Sequence, residues 1–383
     1  MKEGGLVSWA VVVGRLPVVN RKPATVQPPP PSNAAGCSAI LVSMALNIVR
    51  TSLWIDSSFD ELLGSDPAVR LAVMGIADSP EVWQALGQAQ VYHCSAAKDE
   101  LPAHLHVRAP LIERCPGLLV ASSSGAGYDT IDVDACTNAG IAVVHQAGGN
   151  AVSVAEHTLG LLLGVSRRMA EGDRLLRRER GFSREDVMGH EIAGKTIGLV
   201  GIGHIGTRVA CLAQAFGLKV LAFDPLLDEA TIRTRGAEPC NFEQLLETSD
   251  VVSMHCPRDA TTLRMMNAQA FARMKRGAIF INTARGGIHD ESALVQALRS
   301  GHLAGAGIDV WDQEPPPLDH PLLALDTVYA TFHTGGVTHE CRRNIASIAA
   351  QQILQIAHGE RPARIANPEV WPRVVERLRR AFG

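Results

Sequence analysis

The chain has 383 residues, which is enough for two domains with separate hydrophobic cores. Hydrophobic residues make up 46%, charged residues 20% and aromatic residues 4%, and the net charge is -3, so neither a basic nucleic-acid surface nor a stacking platform for single strands is indicated. No apolar run has the length of a membrane span. The eight cysteines are scattered without a C-x-x-C pair, so we expect reduced thiols in a cytoplasmic protein and no metal site.

Residues 1–43 differ in composition from the rest and include the proline-rich stretch "PPPPSNAAG". Such a segment does not join a packed core. We predict a disordered extension here, with the hypothesis that translation starts at Met44. Regular structure is expected to begin at "ALNIVRTSLWI".

From residue 46 to 146, short apolar runs alternate with helical patterns. The strand candidates are "RLAVMGI", "AQVYHCS", "GLLVASSS" and "GIAVVHQ", and the helix candidates are "SPEVWQALGQ" and "APLIERCP". This alternation predicts an open parallel sheet. The following stretch, residues 150–173, reads as one long helix that is apolar nearly all round, which indicates burial. Burial at a subunit interface favours a homodimer, although burial within one subunit gives the same pattern.

A second alternating series has six strand candidates in about 140 residues: "TIGLVG", "KVLAFD", "VVSMHCP", "AIFINTA", "GAGIDV" and "TVYATFH". Helical stretches lie between them, as in a doubly wound nucleotide-binding domain. A last long helix is predicted in "THECRRNIASIAAQQILQIAHG". The C-terminal tail, residues 372–383, reads as proline-broken and then basic, with its charges on a solvated face.

A glycine-rich turn joins the strand "KTIGLVG" to the helix "IGTRVACLAQAFG". Gly201 permits a tight turn, Gly203 lets the backbone approach a pyrophosphate, and Gly206 lets the helix pack closely on the strand. The helix N-terminus offers free N–H groups and positive dipole to phosphates. The next strand ends in Asp224, whose carboxylate suits the ribose hydroxyls of adenosine and repels a 2′-phosphate. These features predict NAD rather than NADP as cofactor.

Three more segments follow strand ends: "INTARGGIHDESAL", "GIDVWDQEPP" and "YATFHTGGVTHE". They contain Arg285, Glu314 and His333. Taken singly, each has a structural explanation, as a surface charge, a loop acid or a structural histidine. Because open α/β sheets place their chemistry at the carboxyl ends of strands, the three together predict an active site.

The chain resembles the D-isomer-specific 2-hydroxyacid dehydrogenases. The matching stretches include "GAGYDTIDVDACTNAGIAVVH", "NAVSVAEHTLGLLL", "GKTIGLVGIGHIG", "NTARGG", "DVWDQEP" and "FHTGGVT", and the likeness covers about residues 46–371. It implies two Rossmann/flavodoxin-like doubly wound α/β domains, with an NAD-binding domain over 147–336 inserted into a substrate domain of 46–146 plus 337–371.

The resemblance also implies site residues. Arg285 would bind the substrate carboxylate, His333 would be the acid/base, and Glu314 would pair with His333. The substrate loop would be Ser124, Gly125, Ala126 and Gly127. The residues that would contact NAD are Gly201, Gly203, His204, Ile205, Gly206, Asp224, Pro225, His255, Cys256, Pro257, Thr283, Ala284, Asp309, which would face the carboxamide, His333 and Gly335.

These residue types suit reduction of a 2-keto acid to a D-2-hydroxy acid. Negative charge grows on the carbonyl oxygen, to which an imidazolium can donate a proton, while an arginine fork matches a carboxylate. The phosphoglycerate dehydrogenase branch carries an arginine where this chain has Ser123, and the chain ends soon after the second predicted domain crossing, without length for a regulatory domain. These departures disfavour 3-phosphoglycerate as substrate. The branch stays open between glyoxylate/hydroxypyruvate reductase-like and phosphoglycerate dehydrogenase-like, and small or aromatic 2-keto acids, including glyoxylate, hydroxypyruvate and phenylpyruvate, remain candidates.

Two alternatives remain open from the sequence. One is a formate or phosphite dehydrogenase, although formate enzymes place glutamine where this chain has Glu314. The other is an NAD-sensing corepressor, which would bind NADH without turning over a keto acid.

Overall fold

A computed structural model describes residues 45–382. The predicted extension, residues 1–43, and the hypothesis about Met44 lie outside the described residues. Within the described part of the chain, no helix combines the length and apolarity needed to cross a membrane.

The first sheet has five parallel strands in the order β2-β1-β3-β4-β5. These are β1 (Leu46–Thr51), β2 (Val69–Met74), β3 (Val91–Cys94), β4 (Val120–Ser123) and β5 (Ala142–Val144). The helices that connect them are α1 (Ser58–Gly64), α2 (Pro80–Gln88), α3 (Ala109–Arg114) and α4 (Val133–Ala139). This is the flavodoxin-like order, with its reversal point at the ends of β1 and β3.

The second sheet is also entirely parallel, in the order β12-β11-β10-β9-β6-β7-β8. Its strands are β6 (Thr196–Val200), β7 (Lys219–Phe223), β8 (Glu238–Pro239), β9 (Val251–Met254), β10 (Ala278–Asn282), β11 (Leu303–Ile308) and β12 (Val328–Ala330). The helices are α7 (His204–Ala215), α8 (Glu229–Thr234), α9 (Phe242–Thr248), α10 (Ala268–Arg273) and α11 (Glu291–Arg299). The Rossmann order confirms the predicted fold class. The sequence patterns predicted every strand of this sheet except β8, because a strand of two residues is too short to show an alternating pattern.

The predicted long helix is two helices, α5 (Ala151–Ser166) and α6 (Met169–Arg178). The chain breaks at Arg168, whose backbone is left-handed with φ 51°. α5 is buried within its own chain: its residues pack in the core of the second sheet, and a Cβ on Gly164 would overlap the Tyr329 ring. The apolar residues of α5 are therefore explained without a partner subunit, and the homodimer stays a prediction.

After the second sheet the chain returns to the first through α12 (His339–Ala357) and α13 (Trp371–Phe382). The predicted proline-broken tail is wrong, because Pro372 stands at the second position of α13, where a helix needs no N–H group. Val374 and Leu378 are buried in the core of the first sheet. Arg377 is not solvated as expected: it donates to the carbonyl oxygens of Gly140 (3.2 Å), at the C-terminal end of α4, and Pro116 (2.7 Å), just after α3.

Candidate active site

The glycine turn between β6 and α7 has the features that its spacing predicts. Gly201 has φ 93°, and a Cβ there would lie 2.8 Å from the His255 carbonyl carbon. A Cβ on Gly206 would clash with the carbonyl oxygen of Gly201, so only glycine allows the helix this close. Gly203 precedes α7 and has open space where a Cβ would be. The open side of the turn therefore leaves the first N–H groups of α7 approachable by an anion.

Asp224 follows β7 and lies beside this turn. Its Oδ2 accepts a hydrogen bond from the Ile202 N–H at 3.0 Å, and its Oδ1 accepts one from Leu226 at 3.1 Å. Arg235, which the sequence did not point to, donates to the Ile202 carbonyl at 2.7 Å. The carboxylate is thus tied to the glycine turn, and the exposed Pro225 follows it.

The other predicted cofactor residues gather around the turn and the neighbouring strand ends. His204 opens α7 and faces Gly148, and Ile205 packs against the core of the second sheet. Thr283 shares a 2.9 Å hydroxyl hydrogen bond with Thr158, and Ala284 follows it at the end of β10. Pro257 is exposed after β9.

Burial decides the chemistry of His255 and Cys256. The His255 Nε2 shares a 2.9 Å hydrogen bond with Ser253, and its buried Nδ1 has no partner within the described residues. Burial lowers the pKa of His255 to about 3, so the imidazole is neutral. Burial raises the pKa of the Cys256 thiol to about 12, which excludes a thiolate nucleophile at neutral pH.

Asp309, after β11, organises the loop that carries His333. Its Oδ1 accepts hydrogen bonds from the Thr331 hydroxyl (2.6 Å) and the Thr334 N–H (2.8 Å), and its Oδ2 accepts one from the Gly335 N–H (2.9 Å). Burial alone would raise the pKa of Asp309, but hydrogen bonds, among them that of His157, hold it at about 2. The carboxylate is therefore a permanent anion within this loop.

His333 and Glu314 form a direct pair. The His333 Nδ1 lies 2.7 Å from the Glu314 Oε2, and the other carboxylate oxygen accepts a 3.0 Å hydrogen bond from the Trp311 N–H. Burial opposes the imidazolium, but the hydrogen bond and charge of Glu314 outweigh it, so the pKa of His333 lies above 6.5. The backbone of His333 is left-handed, φ 45°, which is unusual for a non-glycine residue and typical of functional sites.

Arg285 reaches from the second sheet to the loop after β4 of the first. Its Nε donates to the Asp129 Oδ2 at 3.2 Å and its Nη1 donates to the Ala284 carbonyl at 2.7 Å. A Cβ on Gly127 would overlap the Arg285 Nη2, so the guanidinium lies directly against the predicted substrate loop. That loop, Ser124–Gly127, is half-buried; the Ser124 N–H donates to Cys94 and the Gly125 carbonyl accepts from Gln146.

Known oxidoreductases match most of this chain. It is 37% identical over 267 residues to a glyoxylate reductase of Korarchaeum cryptofilum, which covers 69% of this chain and 80% of that protein. Residues 159–335 match the family model "D-isomer specific 2-hydroxyacid dehydrogenase, NAD binding domain". The chain belongs to the D-isomer specific 2-hydroxyacid dehydrogenase family.

Other proteins are similarly related to this chain. A D-3-phosphoglycerate dehydrogenase of Archaeoglobus fulgidus is 39% identical over 253 residues, 66% of this chain. The match spans about half, 48%, of that relative's length. The solved structure of the TT0316 protein from Thermus thermophilus superposes with a TM-score of 0.72 and 33% identity, covering 84% of this chain and 100% of that one.

The match to the family's NAD binding domain includes the glycine turn, Asp224, Arg285, Glu314 and His333, whereas the loop Ser124–Gly127 lies outside it. The glycine turn fits a dinucleotide because its open face at Gly203 lies at the same edge of the sheet as the His255 Nδ1, which has no partner among residues 45–382. No cluster of three or more metal-ligating side chains occurs among residues 45–382.

Two residues of the site were not predicted from the sequence. Asp129 contacts Arg285, and Arg258 contacts Asp129. Asp129 stands at the end of the quoted stretch "GAGYD", and Arg258 follows "HCP" directly. The available signal was a charged residue, Asp129, next to the predicted substrate loop. A single sequence does not show that this residue pairs with arginines of the other sheet.

Proposed function

We propose that this protein is an NAD-dependent oxidoreductase that interconverts a 2-keto acid and a D-2-hydroxy acid. The observation that carries the proposal is the 2.7 Å His333–Glu314 pair at the same edge of the sheet as the Arg285 guanidinium. We further propose that residues 147–336 form the cofactor domain, inserted into a substrate domain of 46–146 plus 337–371 that α13 completes.

His333 is the proposed acid/base. Its raised pKa keeps a useful fraction of imidazolium near neutral pH, which donates a proton from Nε2 to the carbonyl oxygen as that oxygen gains charge. Glu314 holds Nδ1, so it orients the ring and stabilises the cation. In the opposite direction neutral His333 accepts the hydroxyl proton.

Arg285 is the proposed ligand of the substrate carboxylate. A guanidinium binds a carboxylate at two points, and its charge also favours negative charge on the neighbouring carbonyl oxygen. Gly127 lies against Arg285, and the backbone of the loop Ser124–Gly127 is the proposed second side of the carboxylate site.

NAD, the proposed cofactor, supplies or accepts the hydride at C2 of the substrate. The glycine turn and the start of α7 would hold its phosphates, Asp224 its adenosine ribose, and Asp309 its carboxamide. His255 to Pro257, Thr283, Ala284 and Gly335 would line the same cleft. No observation favours the formate/phosphite or corepressor alternative, and Glu314 argues against the former. The cytoplasmic location stays a prediction.

The test is oxidation of NADH and of NADPH by a panel of 2-keto acids that contains glyoxylate, hydroxypyruvate, pyruvate and phenylpyruvate. We expect turnover with one group of acids and a preference for NADH. Tight NADH binding with no turnover of any acid would contradict the proposal and favour a binding protein.

Asp224→Ser should shift the cofactor preference. Removing this carboxylate removes the repulsion of a 2′-phosphate, so the ratio of kcat/KM for NADH to that for NADPH is expected to fall by about tenfold or more. Asp228→Ser, at the exposed start of α8, is the matched control and should leave the ratio unchanged. An unaltered ratio in the Asp224 variant would remove Asp224 from the ribose site.

Keto-acid reduction should depend on pH through His333. Its raised pKa means that the reactive imidazolium is present below that pKa, so kcat/KM for reduction falls as pH rises through it. Glu314→Gln removes the charge that raises the pKa, so the fall should begin at lower pH. Glu360→Gln, exposed just after α12, is the control. An unshifted pH profile in the Glu314 variant would show that pairing with Glu314 is not the cause of the raised pKa of His333.

A further inference from the structure

A single carboxylate lies between two guanidinium groups in the candidate site. The Asp129 Oδ2 accepts from the Arg285 Nε at 3.2 Å, and its Oδ1 accepts from the Arg258 Nη2 at 3.0 Å. Asp129 belongs to the loop after β4 of the first sheet, whereas Arg258 and Arg285 follow β9 and β10 of the second. All three side chains are about one-third exposed, and their ion pairs join the loop after β4 of the first sheet to the strand ends of the second sheet.

Among the described residues, the Arg285 Nη1 donates to the Ala284 carbonyl and the Nη2 has no hydrogen-bond partner. A carboxylate facing one arginine commonly takes two N–H groups in a fork. Here Asp129 contacts only the Nε of Arg285, since its other oxygen is held by Arg258. Arg258 is in turn anchored, because its Nη1 donates to the Gly286 carbonyl at 3.2 Å. The two terminal nitrogens of Arg285 keep donors that Asp129 does not use.

The charge balance points the same way. Two guanidiniums face one carboxylate, which leaves an excess of one positive charge. The other charged groups that act on this cluster are Lys98, beside Asp129, and the His333–Glu314 pair, beside Arg285. Burial would raise the pKa of Asp129, but Arg285 and Arg258 lower it, so Asp129 is ionised at neutral pH. An incoming carboxylate would therefore be attracted by the excess positive charge of this cluster, which Lys98 increases.

We propose that Asp129 is a positioning residue for Arg285, and that Arg258 prevents Asp129 from occupying the arginine's fork. Asp129 fixes the guanidinium through Nε, the Ala284 carbonyl accepts one N–H of Nη1, and Gly127 lies against Nη2. The remaining N–H groups of Nη1 and Nη2 are the donors left for the substrate carboxylate. This inference rests on the proposed function, since it names residues that act through Arg285 on the same substrate.

The test compares Asp129→Asn, Asp129→Glu and Arg258→Met with wild-type enzyme. The measurements are KM and kcat with the best keto acid of the panel, the Kd of NADH, and the Kd of oxamate, a carboxylate probe, in the presence of saturating NADH. We expect Asp129→Asn to raise KM and the oxamate Kd about tenfold or more, with a smaller change in kcat and an NADH Kd within about twofold. Asp134→Asn, exposed on α4, is the matched control.

Arg258→Met should raise KM as well, because Asp129 is then free to take two N–H groups of Arg285. The double variant, Asp129→Asn with Arg258→Met, should raise KM by less than the product of the two single effects, since both residues act through one guanidinium. Asp129→Glu should recover part of the affinity. A purely structural effect would instead alter kcat, KM and NADH binding together.

Two results would overturn the inference while the proposed function stands. One is an Asp129→Asn variant whose kcat and KM both equal those of the wild type. The other is a double variant in which the effects of the two substitutions are fully additive in free energy. Absence of turnover and of oxamate binding in the wild type would instead overturn the proposed function and this inference with it.

Discussion

His333→Asn is expected to lower kcat for keto-acid reduction by about a hundredfold to ten-thousandfold, the usual contribution of a general acid. Asparagine removes the proton donor but accepts a left-handed backbone better than most other non-glycine residues, which suits the φ of 45° at this position. The variant therefore tests the chemistry with little strain on the fold. The Kd of NADH, measured by fluorescence titration, should stay within about twofold of wild type.

The control for this variant is His358→Asn. His358 is exposed at the C-terminal end of α12 and pairs with Asp66 at 2.8 Å, away from the cleft. An exposed pair of this kind contributes little, so kcat should be unchanged. Wild-type turnover in His333→Asn would refute the assignment of His333 as acid/base.

Arg285→Lys is expected to lower kcat/KM by about 10- to 150-fold. Lysine keeps the positive charge but loses the planar fork, so one charged hydrogen bond of about 1.5–3 kcal/mol is lost, at about 1.36 kcal/mol for each factor of ten. Lysine also lacks the Nε–H that Asp129 accepts at 3.2 Å, so its ammonium group is held less firmly. Steady-state kinetics with the best keto acid of the panel give the measurement.

Arg276→Lys is the matched control, because Arg276 is exposed on the loop before β10 and should not affect kcat/KM. A similar loss in both variants would indicate a general effect on stability. An unchanged kcat/KM in Arg285→Lys would mean that charge alone suffices at this position and that two-point binding of the carboxylate is wrong.

The resemblance implied that Glu314 pairs with His333, but the geometry of this pair was not predictable from the sequence. The strand ends place Arg285, Glu314 and His333 on one edge of the sheet, because all strands of a parallel sheet point the same way. The 2.7 Å contact of Glu314 depends on the loop between β11 and β12 and on the Trp311 N–H that holds the carboxylate. Neither follows from the spacing of the residues.

Local chemistry was sufficient for much of this protein. Alternating apolar runs predicted ten of its strands where the structure has them. Glycine spacing predicted the tight turn between β6 and α7, because the positive φ of Gly201 and the close backbone approach at Gly206 exclude other residues. Such features depend on neighbours in the chain, and the sequence alone determines them.

Features that depend on distant neighbours were decided only by the tertiary structure. The break between α5 and α6 at Arg168 interrupts a helical pattern that runs on in the sequence, and α13 is a packed helix because the core of the first sheet accepts Val374 and Leu378. Asp129 meets Arg285 across 156 residues of chain. The partner of a charged side chain depends on which loops of the two sheets approach each other in space. A single sequence does not contain the distance between those loops.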